Sequence, residues 1–580
     1  MNPELLERLR SDLAVFWPDR FRLDRVSHPE DWLVFADALQ ESGDQRGELI
    51  DLERRFAETG NRAFDHQRAL LAQALHLQGG AIPEPFIGPG NPLRPHGFIS
   101  SVRLKPGDLA TLAKVVAHPD ARLLSVLHLE PDPPRLPELA NALAIHPEFA
   151  QLRGLAITST LDAKAMADLL AIPHLGGLTA LTLAVDEASL AALVRGPWRP
   201  RRAVLSWTPS MDAQVFTEAP AFAQLEELVL RGPLSDKAAE ALVPQLGALR
   251  RLTLMGHGPQ GTGPFATMPG LPNLETVDVL RLATTTRDVA AFVAGAHRPS
   301  LERVRIRCSR LGDAKPHVGN LTGPATIEVD LDDERCGQAM ATLSPAGVFG
   351  RTRAIRLGQA GAMGFRALLQ APDLSGLERL DGRRCDLNSA RLRALFNREC
   401  PRLTQLWLDD NPLGDRGVGE LAAWPGLSSL VDLRLLGTEM TLDGLMTLMN
   451  SPHLNDLRVL HLDPELPNGD LSALAAAQAL RPQELVFVPQ GPQGLPPLAR
   501  SSVLSQVRRL TLSGPDLQPA DLAALLESPH LTQLEVLDLR PRPHLAAQVP
   551  EATTRLLREA QHAWPKLKDI RGVSPEAWLG

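Results

Sequence analysis

Three groups of residues have the types and spacings that chemistry would need. Gly256-His257-Gly258-Pro259-Gln260-Gly261 matches G-x-G-x-x-G after an apolar run, and Asp278 follows at about 20 residues, the outline of a dinucleotide fingerprint. That fingerprint requires a helix to begin at once, so that its first amides meet a pyrophosphate. The next residues, TGPFATMPGLPN, carry Pro264, Pro269, Gly270 and Pro272, which a helix does not accommodate. Asp278 sits between Val277 and Val279 in an alternating pattern, so the stretch reads as a loop before a strand. The four cysteines, Cys308, Cys336, Cys385 and Cys400, have no C-x-x-C spacing and suggest buried thiols in a reducing compartment. There is no Gly-Lys pair for a P-loop, no H-E-x-x-H and no G-x-S-x-G, so no cofactor, metal or catalytic site is expected. The 16 histidines are scattered, several in Pro-His turns such as His174, His453 and His530. The third group is recognition chemistry. Arginines recur at Arg303, Arg305, Arg307, Arg353, Arg356, Arg379 and Arg383, interleaved with Glu328, Asp330 and Asp381, and Trp407 and Arg434 follow. Arg, Trp and carboxylates together have the composition of an interface hot spot. They could equally pair with one another across neighbouring strands.

The elements that must position these residues are announced by Pro401–Gly414, PRLTQLWLDDNPLG. It reads Leu403-x-x-Leu406-x-Leu408-x-x-Asn411-x-Leu413. Alternation puts Leu406 and Leu408 on one face of a short strand, and the Asn411 amide can then bond backbone groups of neighbouring coils. The first apolar position of this pattern recurs at Ile99, Leu124, Leu152, Leu178, Leu225, Leu249, Leu274, Leu301, Leu377, Leu403, Leu430, Leu457, Val507 and Leu534, with weaker copies near Arg202, Pro324, Thr352 and Gln483. About 18 units result, at about 25.6 residues each, inside the 20–29 window of leucine-rich repeats. Helix-like segments such as Ala163–Ala171, Asp443–Met449 and Asp521–Glu527 separate them. Ser451-Pro452-His453-Leu454 and Ser528-Pro529-His530-Leu531 end such helices, since Pro disfavours helix in the residue before it.

The sequence therefore resembles leucine-rich-repeat proteins. The resemblance implies an α/β solenoid, a horseshoe with parallel strands inside and helices outside. Asn411 is the one clean Asn at its position; Thr160, Asp186, Pro233, His257, Thr438, Glu465 and Pro515 stand at the others, so a continuous Asn ladder is not expected. Residues between the two inner leucines should face solvent on the inner arc. The candidate partner-contact set on that arc is Arg303, Arg305, Arg353, Arg356, Arg379, Trp407, Asp409, Arg434 and His461.

At 580 residues the chain exceeds one compact core, a limit a repeat array escapes because each unit touches only its neighbours. Its net charge of -8 gives no basic footprint for nucleic acid. Acidic and basic residues stand near the start where a signal peptide needs an apolar run, so none is expected, and no stretch approaches the roughly 18 apolar residues of a membrane span. A soluble, cytoplasmic protein is expected. There is no tyrosine, so any hot spot must use Trp, Arg or Phe.

Residues 1–78 read as helical. Ser27-His28-Pro29-Glu30 forms a capping box, Ser42-Gly43-Asp44 stops that helix, a second begins near Gln45, and a third covers 65–77. Ala36-Asp37, Gly43-Asp44 and Arg46-Gly47-Glu48-x-Ile50 resemble the hallmark of the bacterial repeat-companion domain, a helical module found before leucine-rich repeats. This resemblance covers about 30 residues and implies architecture, with no activity. Ala38 and Gln40 depart from the hallmark's Trp and Glu. Residues 79–97 form a Gly/Pro-rich linker, 98–547 the repeats, and 548–580 a C-terminal helical cap. The functional expectation is a non-catalytic scaffold that binds another protein on its concave face. An effector-like enzyme that uses the repeats for targeting, or phosphorylated-partner or nucleic-acid binding by the arginines, are the alternatives.

Overall fold

The structure is a computed structural model that describes residues 3–16, 29–59, 61, 63–64, 66–68, 70–71, 101–104, 121, 123–129, 136–207, 211–255, 264–265, 268, 270–285, 300–301, 303–312, 327–330, 352–357, 361–454, 457–463, 480–487, 495–513, 519–540 and 551–571. The linker at 79–97, the glycine-rich stretch 256–261 and most of the expected helix 65–77 lie outside the described residues.

Three helices open the chain: α1 (Pro3–Phe16), α2 (Pro29–Glu41) and α3 (Arg46–Thr59). Leu5, Leu9 and Leu13 recur every four residues, so they share one face of α1. That face packs on Trp32, Phe35, Ala36 and Leu39 of α2, on Ile50 of α3 and on Leu123. The turn between α2 and α3 follows its expected chemistry. Gly43 takes a φ of 76°, and the Asp44 carboxylate accepts the Arg46 backbone N–H at 3.1 Å. The same carboxylate pairs with the Arg46 guanidinium at 2.6 Å. Gly47 lets the helices approach, because a Cβ there would stand 2.4 Å from the Ala36 carbonyl. These hallmark residues serve the helix–helix turn.

The chain divides into two compact units. The first comprises Met1–Glu58, Phe64–Arg305 and Gly319–Pro324; the second comprises Thr59–Ala63, Ile306–Val318 and Ala325–Gly580. In the first unit the strands are β1 (Ser101–Leu104), β2 (Val126–Leu129), β3 (Gly154–Leu161), β4 (Ala180–Val185), β5 (Arg202–Ser206), β6 (Glu227–Arg231), β7 (Arg251–Met255) and β8 (Thr276–Thr285). Each pairs in parallel with the next. Among the described residues, α4 (Leu136–Ile145), α5 (Ala163–Leu170), α6 (Glu187–Arg195) and α7 (Asp236–Leu242) return the chain. Asp162, Asp186 and Ser235 cap three of them with side-chain oxygens, satisfying amides that have no partner within the helix. A further strand, β9 (Arg303–Gly312), begins in the first unit, and its residues from Ile306 on belong to the second.

In the second unit the strands are β10 (Ile327–Asp330), β11 (Ala354–Arg356), β12 (Arg379–Asp381), β13 (Gln405–Trp407), β14 (Asp432–Leu435), β15 (Val459–Leu462), β16 (Glu484–Phe487), β17 (Arg509–Ser513), β18 (Val536–Arg540) and β19 (Asp569–Arg571). They too are parallel and in chain order. Helices α8 (Gly361–Leu369), α9 (Ser389–Phe396), α10 (Gly414–Ala422), α11 (Leu442–Met449), α12 (Leu495–Ala499), α13 (Pro519–Leu526) and α14 (Glu551–Ala563) alternate with them. The register places Leu380, Leu406, Leu433, Leu460, Leu485, Leu510 and Leu537 side by side. All are fully buried, and each such side chain contributes about 2 kcal/mol.

A strand begins at every expected repeat, including the weak copies at Arg202, Pro324, Thr352 and Gln483. The C-terminal region departs from the sequence reading. It is not helix alone, because β19 follows α14 and pairs with β18. Leu567-x-x-Ile570 preserves half of the repeat pattern, which is enough apolar surface to seat one more strand.

Candidate partner-binding site

Parallel pairing gives the second unit two outward rows of side chains. One row, between the buried leucines, runs Arg356, Asp381, Trp407, Arg434 and His461. The other, two residues earlier on each strand, runs Ala354, Arg379, Gln405, Asp432, Val459 and Glu484. Strands about 4.8 Å apart let a long arginine reach across its neighbours.

Trp407 is half-buried and ringed by cations. The guanidinium of Arg434 lies 4.0 Å from the ring centroid, that of Arg383 5.1 Å and that of Arg379 5.7 Å. Such contacts contribute about 0.5–2 kcal/mol each. Buried carboxylates fix the two nearest arginines. Arg434 donates to Asp432 through Nε and Nη2, both at 3.0 Å. Arg383 donates to Asp381 through Nε at 2.8 Å and Nη2 at 2.7 Å. The Trp407 Nε1–H donates to Asp432 Oδ2 at 3.0 Å, which fixes the ring as well. Arg356 approaches Asp381 at 3.4 Å and Arg353 approaches Glu378 at 3.4 Å. The bond to Asp381 raises the Arg383 pKa further.

The expectation that inner-row residues face solvent holds only in part. Asp381 is 3% exposed, His461 8% and Thr511 2%; Arg356 and Arg383 lie against Asp381. Asp409 is 8% exposed, and its Oδ1 accepts the Leu436 N–H at 2.8 Å. It holds the next coil and presents no open carboxylate. Burial pushes its carboxyl above the ordinary range, against the Leu436 N–H and the charges of His461, Arg383 and Arg434. Burial also pushes the Asp463 carboxyl up to about 6, with Asp409 and Asp410 adding to it and the Gly437 N–H opposing. The Gly437 N–H donates to Asp463 at 2.7 Å. His461 Nε2 stands 3.6 Å from Glu484 Oε1, an ion contact rather than a hydrogen bond; that contact leads the causes that hold the Glu484 carboxyl low. Arg303, half-buried at the start of β9, belongs to the first unit, as does Arg305, whose side chain lies outside the described set.

Asn411 behaves as its position requires. Its Oδ1 accepts the N–H groups of Cys385 and Leu387, both at 2.9 Å. Its Nδ2 donates to the carbonyls of Gly382 at 2.9 Å and Leu408 at 2.7 Å. Two coils are thus sewn together by one buried amide. The Pro-His turns are structural as well: the Ser451 hydroxyl donates to the Ala422 carbonyl at 2.5 Å and accepts the His453 N–H at 3.2 Å. The Cys400 thiol is pushed up to about 11 by burial, the opposite of an activated nucleophile. Asp278 lies on β8 between buried Val277 and Val279. Among the described residues no cluster of His, Cys, Asp and Glu could hold a metal ion, and no helix is long and apolar enough to cross a membrane.

Sequence reading missed Asp432 and Asp463. Asp432 stands two residues before Arg434 on the same strand face, a spacing that would have found it. Asp463 lies past the end of β15, where no alternation applies.

Coils of strand and helix, with parallel strands in chain order and leucines aligned between them, define a leucine-rich-repeat type of solenoid in each unit. No family model matches the chain, and no curated protein matches it. Solved structures that it resembles include the TLR13–ssRNA13 complex, at 15% identity and a TM-score of 0.38, covering 73% of this chain and 63% of that one. The complex of Rad7 and Elc1 in yeast aligns at 14% identity and a TM-score of 0.23, covering 70% of this chain and 83% of that one. The fold assignment rests on the strand registers above and not on these similarities.

Proposed function

We propose that the chain is a non-catalytic scaffold that binds another protein through the strand face of its second unit, centred on Trp407. The observation that supports this most is the rigid cluster of Trp407, Arg383 and Arg434. Asp381 and Asp432 anchor it from beneath, so docking costs little side-chain ordering. Arg353, Arg356 and Arg379 extend the surface on one side, while the buried His461 and Asp409 support it from within. Arg303 and Arg305 form a separate basic stretch, whose part in binding is a second contact. The N-terminal helices serve as a cap for the array through Leu123, and the region is companion-like in sequence.

The main alternative, phosphorylated-partner or nucleic-acid binding, is less favoured. Carboxylates already match the two central arginines, and counterion release needs several cations open to phosphate. The Cys400 thiol, pushed up to about 11 by burial, lends an enzymatic role no support.

Affinity capture with the wild type against Trp407→Ala/Arg434→Ala tests the proposal. Loss of the specifically captured partner is expected; an unchanged partner set rejects this surface.

A further inference from the structure

The central arginines use only one side of each guanidinium. Arg383 and Arg434 both bind their carboxylates through Nε and Nη2. The Nη1 of each makes no hydrogen bond among the described residues. An arginine fork so held keeps two further N–H groups for an incoming acceptor. Asp381, which holds Arg383, is on β12, and Asp432, which holds Arg434, is on β14; these strands flank Trp407 on β13. The two guanidinia therefore bracket the indole from opposite strands, 5.1 and 4.0 Å from its centroid. The side chains of Arg383 and Arg434 remain 34% and 25% exposed, against 4% and 10% for Asp381 and Asp432. The acids lie below and the cations face out.

Building on the protein-binding reading above, we infer that the partner presents an acidic segment in the extended polyproline II conformation, with two carboxylates three residues apart on one face. The two guanidinium carbons, 5.1 and 4.0 Å from one ring centroid, stand at most about 9 Å apart, and a polyproline II chain rises about 3.1 Å per residue with three residues per turn. Positions i and i+3 of a segment crossing the strands thus reach both Nη1 groups. The residues between them lie over the indole edge and suit apolar side chains. A phosphate polyanion fits less well, because its binding draws on several cations open to successive phosphates, whereas this site offers two forks, each with one free Nη1.

Selection from a random 12-residue peptide display library on the full-length protein, repeated on Trp407→Ala, tests this. The peptides that depend on Trp407 should carry Asp or Glu at i and i+3 around two apolar residues. Synthetic copies should bind at least about tenfold more weakly to Arg434→Lys, which keeps the charge but loses the fork. Arg509→Lys, at the other end of the face, should bind them as the wild type does. Peptides that depend on Trp407 but lack paired acids overturn the acidic-segment inference and leave the binding surface standing. A selection that enriches no Trp407-dependent peptide overturns both. Tighter binding of an oligothymidylate or of phosphoserine peptides than of the acidic peptides replaces the inference with phosphate recognition.

Discussion

The two units share one frame and differ in what stands on it. In the first, the row between the inner leucines runs His128, Ala156, Thr182, Val204, Val229 and Thr253. Ala156 is fully buried, and Val204 and Val229 are 8% and 9% exposed. Val126, Gly154, Ala180, Thr182 and Arg202 line only a shallow recess there. In the second, the same positions hold Arg356, Asp381, Trp407, Arg434 and His461. The leucines beneath are equally buried in both. The frame thus leaves the outward rows free, and recognition chemistry is concentrated where large polar side chains have anchors of their own.

The turns differ too. In the second unit Asn411 bonds five backbone groups, whereas Thr160, its counterpart in the first, is exposed. Asn411→Ala should therefore have the largest effect on stability, about 3–5 kcal/mol, because it strands buried amides and carbonyls. Thr160→Ala should stay within about 0.5 kcal/mol. Urea unfolding of both variants checks the contrast, and equal losses would break it.

Gly437→Ala should come next, at about 1–3 kcal/mol. Its φ is 63°, and the new Cβ would stand 2.6 Å from Asp410 Oδ1. A thermal melt reads this loss, and a neutral result would mean that the coil around Asp463 yields more easily than its bonds suggest.

Trp407→Ala should cost less stability, about 1–2 kcal/mol, since Asp432 retains both bonds from Arg434. Chemical denaturation checks the value. A loss as large as that of Asn411→Ala would make Trp407 a structural residue first.

The smallest effect concerns pH. The Asp463 carboxyl, pushed up to about 6, has a folded pKa above the roughly 3.9 of an unfolded Asp. The folded state then binds the proton more tightly, so this group's contribution is present below about pH 4 and lost as pH rises to about 6. Partial exposure screens it, so the change is well under the unscreened value. The difference in stability between the wild type and Asp463→Asn, measured at pH 4 and pH 7, isolates it. A wild type that gains on Asp463→Asn as pH rises would reverse the sign.

Much of this was legible in the sequence. Leu403, Leu406, Leu408 and Asn411 define a strand and a turn by spacing alone, and even Arg202 and Gln483, without the full leucine set, mark strands. Two things were not legible. Burial of Asp381 and Asp409 depends on which long side chains cross the row, and spacing along one strand says nothing of its neighbours. Strand β19 follows Leu567-x-x-Ile570, a pattern too short to stand out until the open edge of β18 is known to need covering. Trp407 was legible as an outward residue, but its anchoring by Asp432 emerges only from the register of β13 against β14.

The most direct test sets one face against the other. Partners are captured with the wild type, with Trp407→Ala/Arg434→Ala and with Thr182→Ala/Thr253→Ala on the first unit's face, each checked for an unchanged melt. The account predicts that the second-unit variant loses the specific partner and the first-unit variant keeps it. Retention by the former, or loss by the latter alone, would contradict it.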